Sequence, residues 1–263
     1  RDAATYYALL ERITGKNQSN TASDLPKIII DKVNKIELEQ TGLKVTMRPY
    51  QEFGSKFLLF QKNVLLGDEM GLGKTIQALA VANHLFQNHK KQIVIILPLS
   101  VLENWKRETQ KWTKLPVYRF CASNKNRFSD FEWWKRYGGI LLANYEQSKA
   151  VSELIGEEKL DMVIIDEAHF IKNPHAMRTV NSINISKRAS YKLFMTGTPL
   201  ENNVKEMQHL LKTLNPDLPV QTFRERPDSK DFKRYIANVY LRRKRVEVLS
   251  ELPEMEVLDM WSE

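Results

Sequence analysis

Residues 63–75 read Asn-Val-Leu-Leu-Gly-Asp-Glu-Met-Gly-Leu-Gly-Lys-Thr. A glycine-rich turn between an apolar run and a helix start aims several backbone N–H groups at one place. The helix N-terminus adds positive potential there. Such a nest suits a triphosphate. Lys74 is spaced to reach the β- and γ-phosphates, and the Thr75 hydroxyl to hold Mg2+. Gly71 and Gly73 stand where the pattern requires glycine. Asp68 occupies the place of the first glycine, with Gly67 one residue early.

A second chemical segment follows at Met162–His169, Met-Val-Ile-Ile-Asp-Glu-Ala-His. Its four apolar residues read as a buried strand of a parallel sheet. The C-terminal end of such a strand is where open α/β sheets bind ligands. Two adjacent carboxylates there can divide the labour. Asp166 can hold Mg2+, and Glu167 can orient and deprotonate an attacking water. The catalytic set is thus Glu167, Lys74 and Asp166, with Thr75 and Asp166 as metal ligands. His169 is placed to link this site to the neighbouring segment.

The elements that must position these groups follow from the alternation of apolar runs and helical stretches. Strands are expected at 63–66, 92–97, 117–120, 140–143, 162–165 and 191–195. Helices are expected at 49–61, 75–87, 100–111, 174–185 and 203–214. Alternating strands and helices predict an α/β fold, a mostly parallel sheet flanked by helices. Residues 1–44 carry helix-like patches at Thr5–Arg12 and Ile28–Glu39 around a polar stretch. They read as a helical N-terminal extension.

Composition agrees. Of the 263 residues 42% are hydrophobic, enough for a real core. Lys and Arg number 40 against 32 Asp and Glu, a formal charge of +8, which favours a polyanionic partner. A single cysteine, Cys121, excludes an internal disulfide and suits a reducing compartment. No apolar run has the length of a membrane span and no signal peptide opens the chain, so no membrane partner is expected. His84 and His89 lack the spacing of a helical metal pair. Trp105 reads as core. Trp133-Trp134 could stack on nucleobases, but pack a helix on the sheet more readily.

From about Val45 onward the chain resembles the Swi/Snf-type ATPases, helicase-like DNA translocases of superfamily two. Seven blocks in order carry the resemblance: Met47-Arg48-Pro49-Tyr50-Gln51; Asp68–Thr75; Leu97–Ser100 with Asn104-Trp105; Ala143–Glu146; Asp166–His169 with Ile171-Lys172-Asn173; Met195–Asn203; and Leu241-Arg242-Arg243 with Val248, Leu252 and Pro253. The resemblance implies a first RecA-like P-loop lobe over residues 45–214, with small helical additions at both ends. Residues 215–263 would be a short protrusion and a basic linker toward a second RecA-like lobe. Arg242–Arg245 would brace that linker. ATP and Mg2+ are the implied cofactors, with Arg48, Gln51, Asp68, Gly71, Gly73, Lys74 and Thr75 as nucleotide contacts and Gln51 reading adenine. Double-stranded DNA is the implied partner, along Pro98, Ser100, Asn144, Lys172, Asn173, Gly197 and Thr198.

In this family the second lobe supplies the arginines that stabilise the transferred phosphoryl group. The ten residues after Pro253 hold no such motif, so this chain is expected to carry half an active site and to hydrolyse ATP poorly alone. Only 37 residues, 204–240, separate Asn203 from Leu241. That is short for the family's protrusion and favours a bacterial, phage or repair-type translocase over a nucleosome remodeller. Localisation is expected to be cytoplasmic in a bacterium or phage host, nuclear in a eukaryote. Two other readings are an RNA helicase of the DEAH-containing kind and a non-catalytic nucleotide- or DNA-binding module. Thr196-Gly197-Thr198-Pro199 speaks against the first, since RNA helicases usually carry a Ser-Ala-Thr type segment. Lys74, Asp166 and Glu167 speak against the second.

Overall fold

A computed structural model describes residues 25–89, 91–197, 204–219 and 230–251. The Thr5–Arg12 patch, Thr198 and the remainder of its block to Asn203, and Leu252 and Pro253 lie outside these residues.

The strands are β1 (Asn63–Leu66), β2 (Gln92–Leu97), β3 (Val117–Phe120), β4 (Gly139–Asn144), β5 (Leu160–Ile165), β6 (Ala189–Met195) and β7 (Tyr240–Leu241). They form one sheet in the order β3-β4-β2-β5-β6-β1-β7, with every neighbouring pair parallel. The helices are α1 (Lys27–Asn34), α2 (Pro49–Gln61), α3 (Lys74–Gln87), α4 (Leu99–Trp112), α5 (Arg127–Tyr137), α6 (Ser148–Ile155), α7 (Met177–Lys187), α8 (Val204–Leu214) and α9 (Lys230–Ile236).

Alternation along the central strands divides the core. Ile93, Ile95 and Leu97 of β2 and Met162 and Ile164 of β5 face one side, against Val33 of α1, Phe57 of α2, Leu79 of α3 and Trp105 of α4. Val94, Ile96, Val163 and Ile165 face the other, against Trp134 of α5, Ile155 of α6, Ile185 of α7 and Leu210 of α8. Both faces are covered, so these strands are apolar throughout, as parallel sheets require. At the β3 edge, side chains close the ladder. Asp130 accepts from the Arg119 N–H at 3.2 Å and Asn124 donates to the Arg119 carbonyl at 2.7 Å. Among the described residues no helix is long and apolar enough to cross a membrane.

Several features go beyond the expected layout, which held no helix at α5 or α6. The helix expected at 174–185 starts at Met177, because Asn173 folds back to accept the His175 N–H at 3.0 Å. Helix α1 of the N-terminal extension buries Ile29 and Val33 in the main core. Beyond residue 214, Tyr240–Leu241 pairs with Leu65–Leu66 as a seventh strand.

Ile95 sits at the centre of the sheet with no exposed surface. Ile95→Ala should cost about 2–5 kcal/mol through lost burial and the cavity left behind. Denaturant unfolding should show a lower midpoint with an unchanged slope.

Candidate functional site

The chemical residues sit at the C-terminal ends of the strands. β1 leads into the glycine loop and α3 leaves it. Gly73, the residue before α3, has φ +75°, and a Cβ there would lie 2.4 Å from the Gln51 amide nitrogen. Only glycine fits that turn. Lys74 Nζ donates to the Asp68 carbonyl at 2.6 Å and lies 3.5 Å from that of Glu69. Burial pushes its ammonium below the usual value, opposed by the carboxylates of Asp68, Glu167, Asp166 and Glu69. It is a cation held on loop carbonyls, able to exchange them for an anion's oxygens.

Asp166 closes β5. Trp105 Nε1 donates to its Oδ2 at 2.7 Å and the Glu167 N–H to its Oδ1 at 2.9 Å. Burial raises its pKa, and the Trp105 hydrogen bond pulls the other way. Tyr145 donates to the Asp166 carbonyl at 2.6 Å and stacks on Phe170 with ring centroids 5.4 Å apart. Burial pushes the phenol well above its ordinary pKa, which keeps it a donor. Glu167 adopts φ +49°, the left-handed region. His169 Nδ1 lies 3.2 Å from its Oε2.

One cleft of about 310 Å3 is lined by Met70 of the loop, Glu167, His169 and Phe170 beyond β5, Pro98, Ser100 and Val101 at the start of α4, and Gly197 after β6. A Cβ at Gly197 would lie 3.0 Å from Met70 Cγ and 3.7 Å from Lys74 Nζ. Residues distant in sequence thus meet around the loop. Lys172 and Asn173 are exposed beyond the Ala168–Ile171 turn.

Two expected site residues stand elsewhere. Asp68 has no exposed surface, and its carboxylate faces inward. Arg243 binds it with Nε at 3.0 Å from Oδ1 and Nη2 on Oδ2, while Gln77 Nε2 donates to Oδ2 at 3.0 Å. It cannot also face a ligand. Asn144 is 3% exposed and donates its amide to Glu146. Buried at the end of β4, it gives no outward contact, and Glu146 is the exposed group there. Gln51 is buried too. Its Oε1 accepts the Arg48 N–H at 3.0 Å and its Nε2 lies 3.4 Å from the Leu72 carbonyl, tying α2 to the loop.

Sequence reasoning missed the anchoring roles of Trp105, Tyr145 and Gln77. Trp105 and Tyr145 are also core residues, and an apolar pattern does not reveal where a ring's one polar atom points. Arg243 was expected as a linker brace. Instead it reaches across the loop, its Nη1 also donating to the Tyr50 carbonyl and its Nη2 to Gln77 Oε1 at 2.8 Å. A Cβ at Gly54 would lie 1.9 Å from Gln77 Oε1 and 2.8 Å from Arg243 Nη2, so α2 gives this cluster room.

Among the described residues no three His, Cys, Asp or Glu gather as a metal cage. The Thr75 hydroxyl in the first turn of α3 and the Asp166 carboxylate after β5 are oxygen donors. They fit Mg2+, which takes one or two protein oxygens alongside phosphate and water.

A parallel sheet with a phosphate-type loop after β1 and an acidic pair after β5 is the RecA-like arrangement. The SNF2-related domain model matches residues 38–256, and the chain belongs to that family. Chromatin Remodeling 19 of Arabidopsis thaliana is 32% identical over 68% of this chain and 26% of its own length. Chromodomain-helicase-DNA-binding protein 1-like of Mus musculus is 29% identical over 90% of this chain and 29% of its own length. The chain therefore spans little more than a quarter of these relatives. The solved Sulfolobus solfataricus SWI2/SNF2 ATPase core in complex with dsDNA superposes with a TM-score of 0.68 at 28% identity, over 83% of this chain and 49% of that one.

The buried Asp68–Arg243 pair is a stability determinant. Arg243→Ala leaves a carboxylate unpaired in the interior and should cost about 3–5 kcal/mol. The Asp68→Ala/Arg243→Ala double variant should lose less than the sum of the single losses in a double-mutant cycle read by denaturant unfolding.

Proposed function

We propose that this chain is the ATP-binding lobe of an ATP-dependent translocase on double-stranded DNA. The observation that carries the reading is the shared cleft. Met70 of the glycine loop, Glu167 of the acidic pair and the strand-end loops after β2 and β6 line it together, and Lys74 feels the carboxylates of both Asp166 and Glu167.

In this reading Lys74 leaves the Asp68 and Glu69 carbonyls for the β- and γ-phosphates, and the loop N–H groups complete the cradle. Arg48 and Gln51 lie beside the loop on the adenine side. Thr75 and Asp166 hold Mg2+, which when bound offsets negative charge on the phosphate oxygens. Trp105 and the Glu167 N–H fix the Asp166 carboxylate in one orientation. Glu167 takes the proton of the attacking water, with the His169 ring beside it. A second lobe closes the site and supplies arginine. DNA lies along Pro98, Ser100, Lys172, Asn173, Gly197 and Thr198, where hydroxyls, N–H groups and a lysine meet phosphates without reading bases.

Titration with a fluorescent ATP analogue and Mg2+ tests the nucleotide half. Lys74→Ala should weaken binding by roughly 1.5–3 kcal/mol, the range of a charge-assisted contact. Glu167→Gln should keep affinity yet abolish turnover in a protein carrying both lobes, because an amide cannot accept the proton. Equal affinities for parent and Lys74→Ala would refute the loop assignment.

DNA binding should tolerate sequence and fall steeply with added salt as counterions are released. Lys172→Ala should weaken it more than Lys91→Ala, measured by fluorescence anisotropy on a duplex. Equal losses would reduce the interaction to the general field of a basic surface.

A further inference from the structure

The segment after β7 lies along the glycine loop as an extension of the sheet. The Gly67 N–H donates to the Leu241 carbonyl at 2.8 Å, the Glu69 N–H to the Arg243 carbonyl at 3.0 Å, and the Arg245 N–H to Glu69 Oε2 at 2.6 Å. Val248 packs into a small apolar cluster with Tyr50 and Leu72, which pins the turn that begins at Arg245. The two arginines of the segment are treated differently. Arg243 is 2% exposed and fully engaged by Asp68, Gln77 and Tyr50. Arg245 is exposed, and among the described residues its guanidinium has no hydrogen-bond or carboxylate partner. Its Nη2 lies 3.7 Å from where a Cβ at Gly71 would stand. An unpaired guanidinium is thus tethered by its own backbone against the tip of an anion-binding loop. Glu69 already accepts the Arg245 N–H, and Glu247, the nearest acid in sequence, accepts the Lys244 N–H at 2.8 Å.

We propose that Arg245 is a further nucleotide ligand, whose guanidinium binds the phosphate chain beside Gly71 as a second cation with Lys74. A planar guanidinium offers paired N–H donors to phosphate oxygens and suits this place better than a point charge. The inference rests on the nucleotide reading of the loop and extends it to a residue more than 170 positions away.

The test is competition on the purified chain. A fluorescent ATP analogue is bound with Mg2+ and displaced by ATP or by inorganic tripolyphosphate, in parent, Arg245→Ala, Arg245→Lys and Lys244→Ala. Arg245→Ala should weaken ATP and tripolyphosphate alike by about three- to tenfold, the lower range of a charge-assisted contact at an exposed site. Arg245→Lys should restore part of the loss, and Lys244→Ala should match the parent. Unchanged affinities in Arg245→Ala would overturn the proposal. So would a loss for ATP with none for tripolyphosphate, which would move the contact to the base or ribose. An equal loss in Lys244→Ala would overturn it in favour of the general surface field. Failure of the parent itself to bind the analogue would overturn the nucleotide reading and this inference together.

Discussion

One buried ion pair holds the site in shape. Asp68 and Arg243 are 175 residues apart and both are nearly without exposed surface. A buried carboxylate and guanidinium repay their desolvation only when every remaining donor and acceptor is met. Here Gln77 meets one Asp68 oxygen and one Arg243 nitrogen, and the Tyr50 carbonyl takes another nitrogen. The cluster joins α2, the glycine loop, α3 and the segment after β7. It also explains the departure at position 68, where a glycine would supply no carboxylate for Arg243.

The acidic end of β5 is built on the same logic. Asp166 is largely buried, yet Trp105 and the Glu167 N–H engage one oxygen each. Tyr145 secures the backbone beneath it. A carboxylate so held keeps one orientation, which a metal ligand needs. The indole and phenol come from α4 and from the turn after β4, so the neighbouring strand-end loops are coupled to the acidic pair through direct hydrogen bonds.

Much of this was legible in the sequence. Asn63–Leu66, Gln92–Leu97, Val117–Phe120 and Pro49–Gln61 fall where apolar runs and the helix signal at Pro49 put them. The loop and the acidic pair are legible by residue type and spacing, and the structure puts Met70 of the one and Glu167 of the other on one cleft. What escaped has physical reasons. Helix α6 is eight residues long and buries only Ser148, Val151 and Ile155, too few for a helical period to stand out. Strand β7 is two residues long and owes its place to pairing with β1. Asn144 was implied as a contact by the resemblance alone, whereas β4 is buried to its last residue. Arg243 could be suspected of bracing, but its partner is a tertiary contact that no local pattern encodes.

The backbone of Glu167 carries a consequence of its own. A left-handed conformation at a residue with a Cβ costs on the order of 1–3 kcal/mol, and glycine or asparagine would sit there more comfortably. The fold thus keeps a strained residue where its acidic side chain faces the cleft. A selection for heat resistance alone would drift at position 167 toward a smaller, neutral residue. It would yield a hardier protein without the carboxylate that the proposed function makes its general base, so under that proposal thermostability and activity pull the sequence in opposite directions at this position.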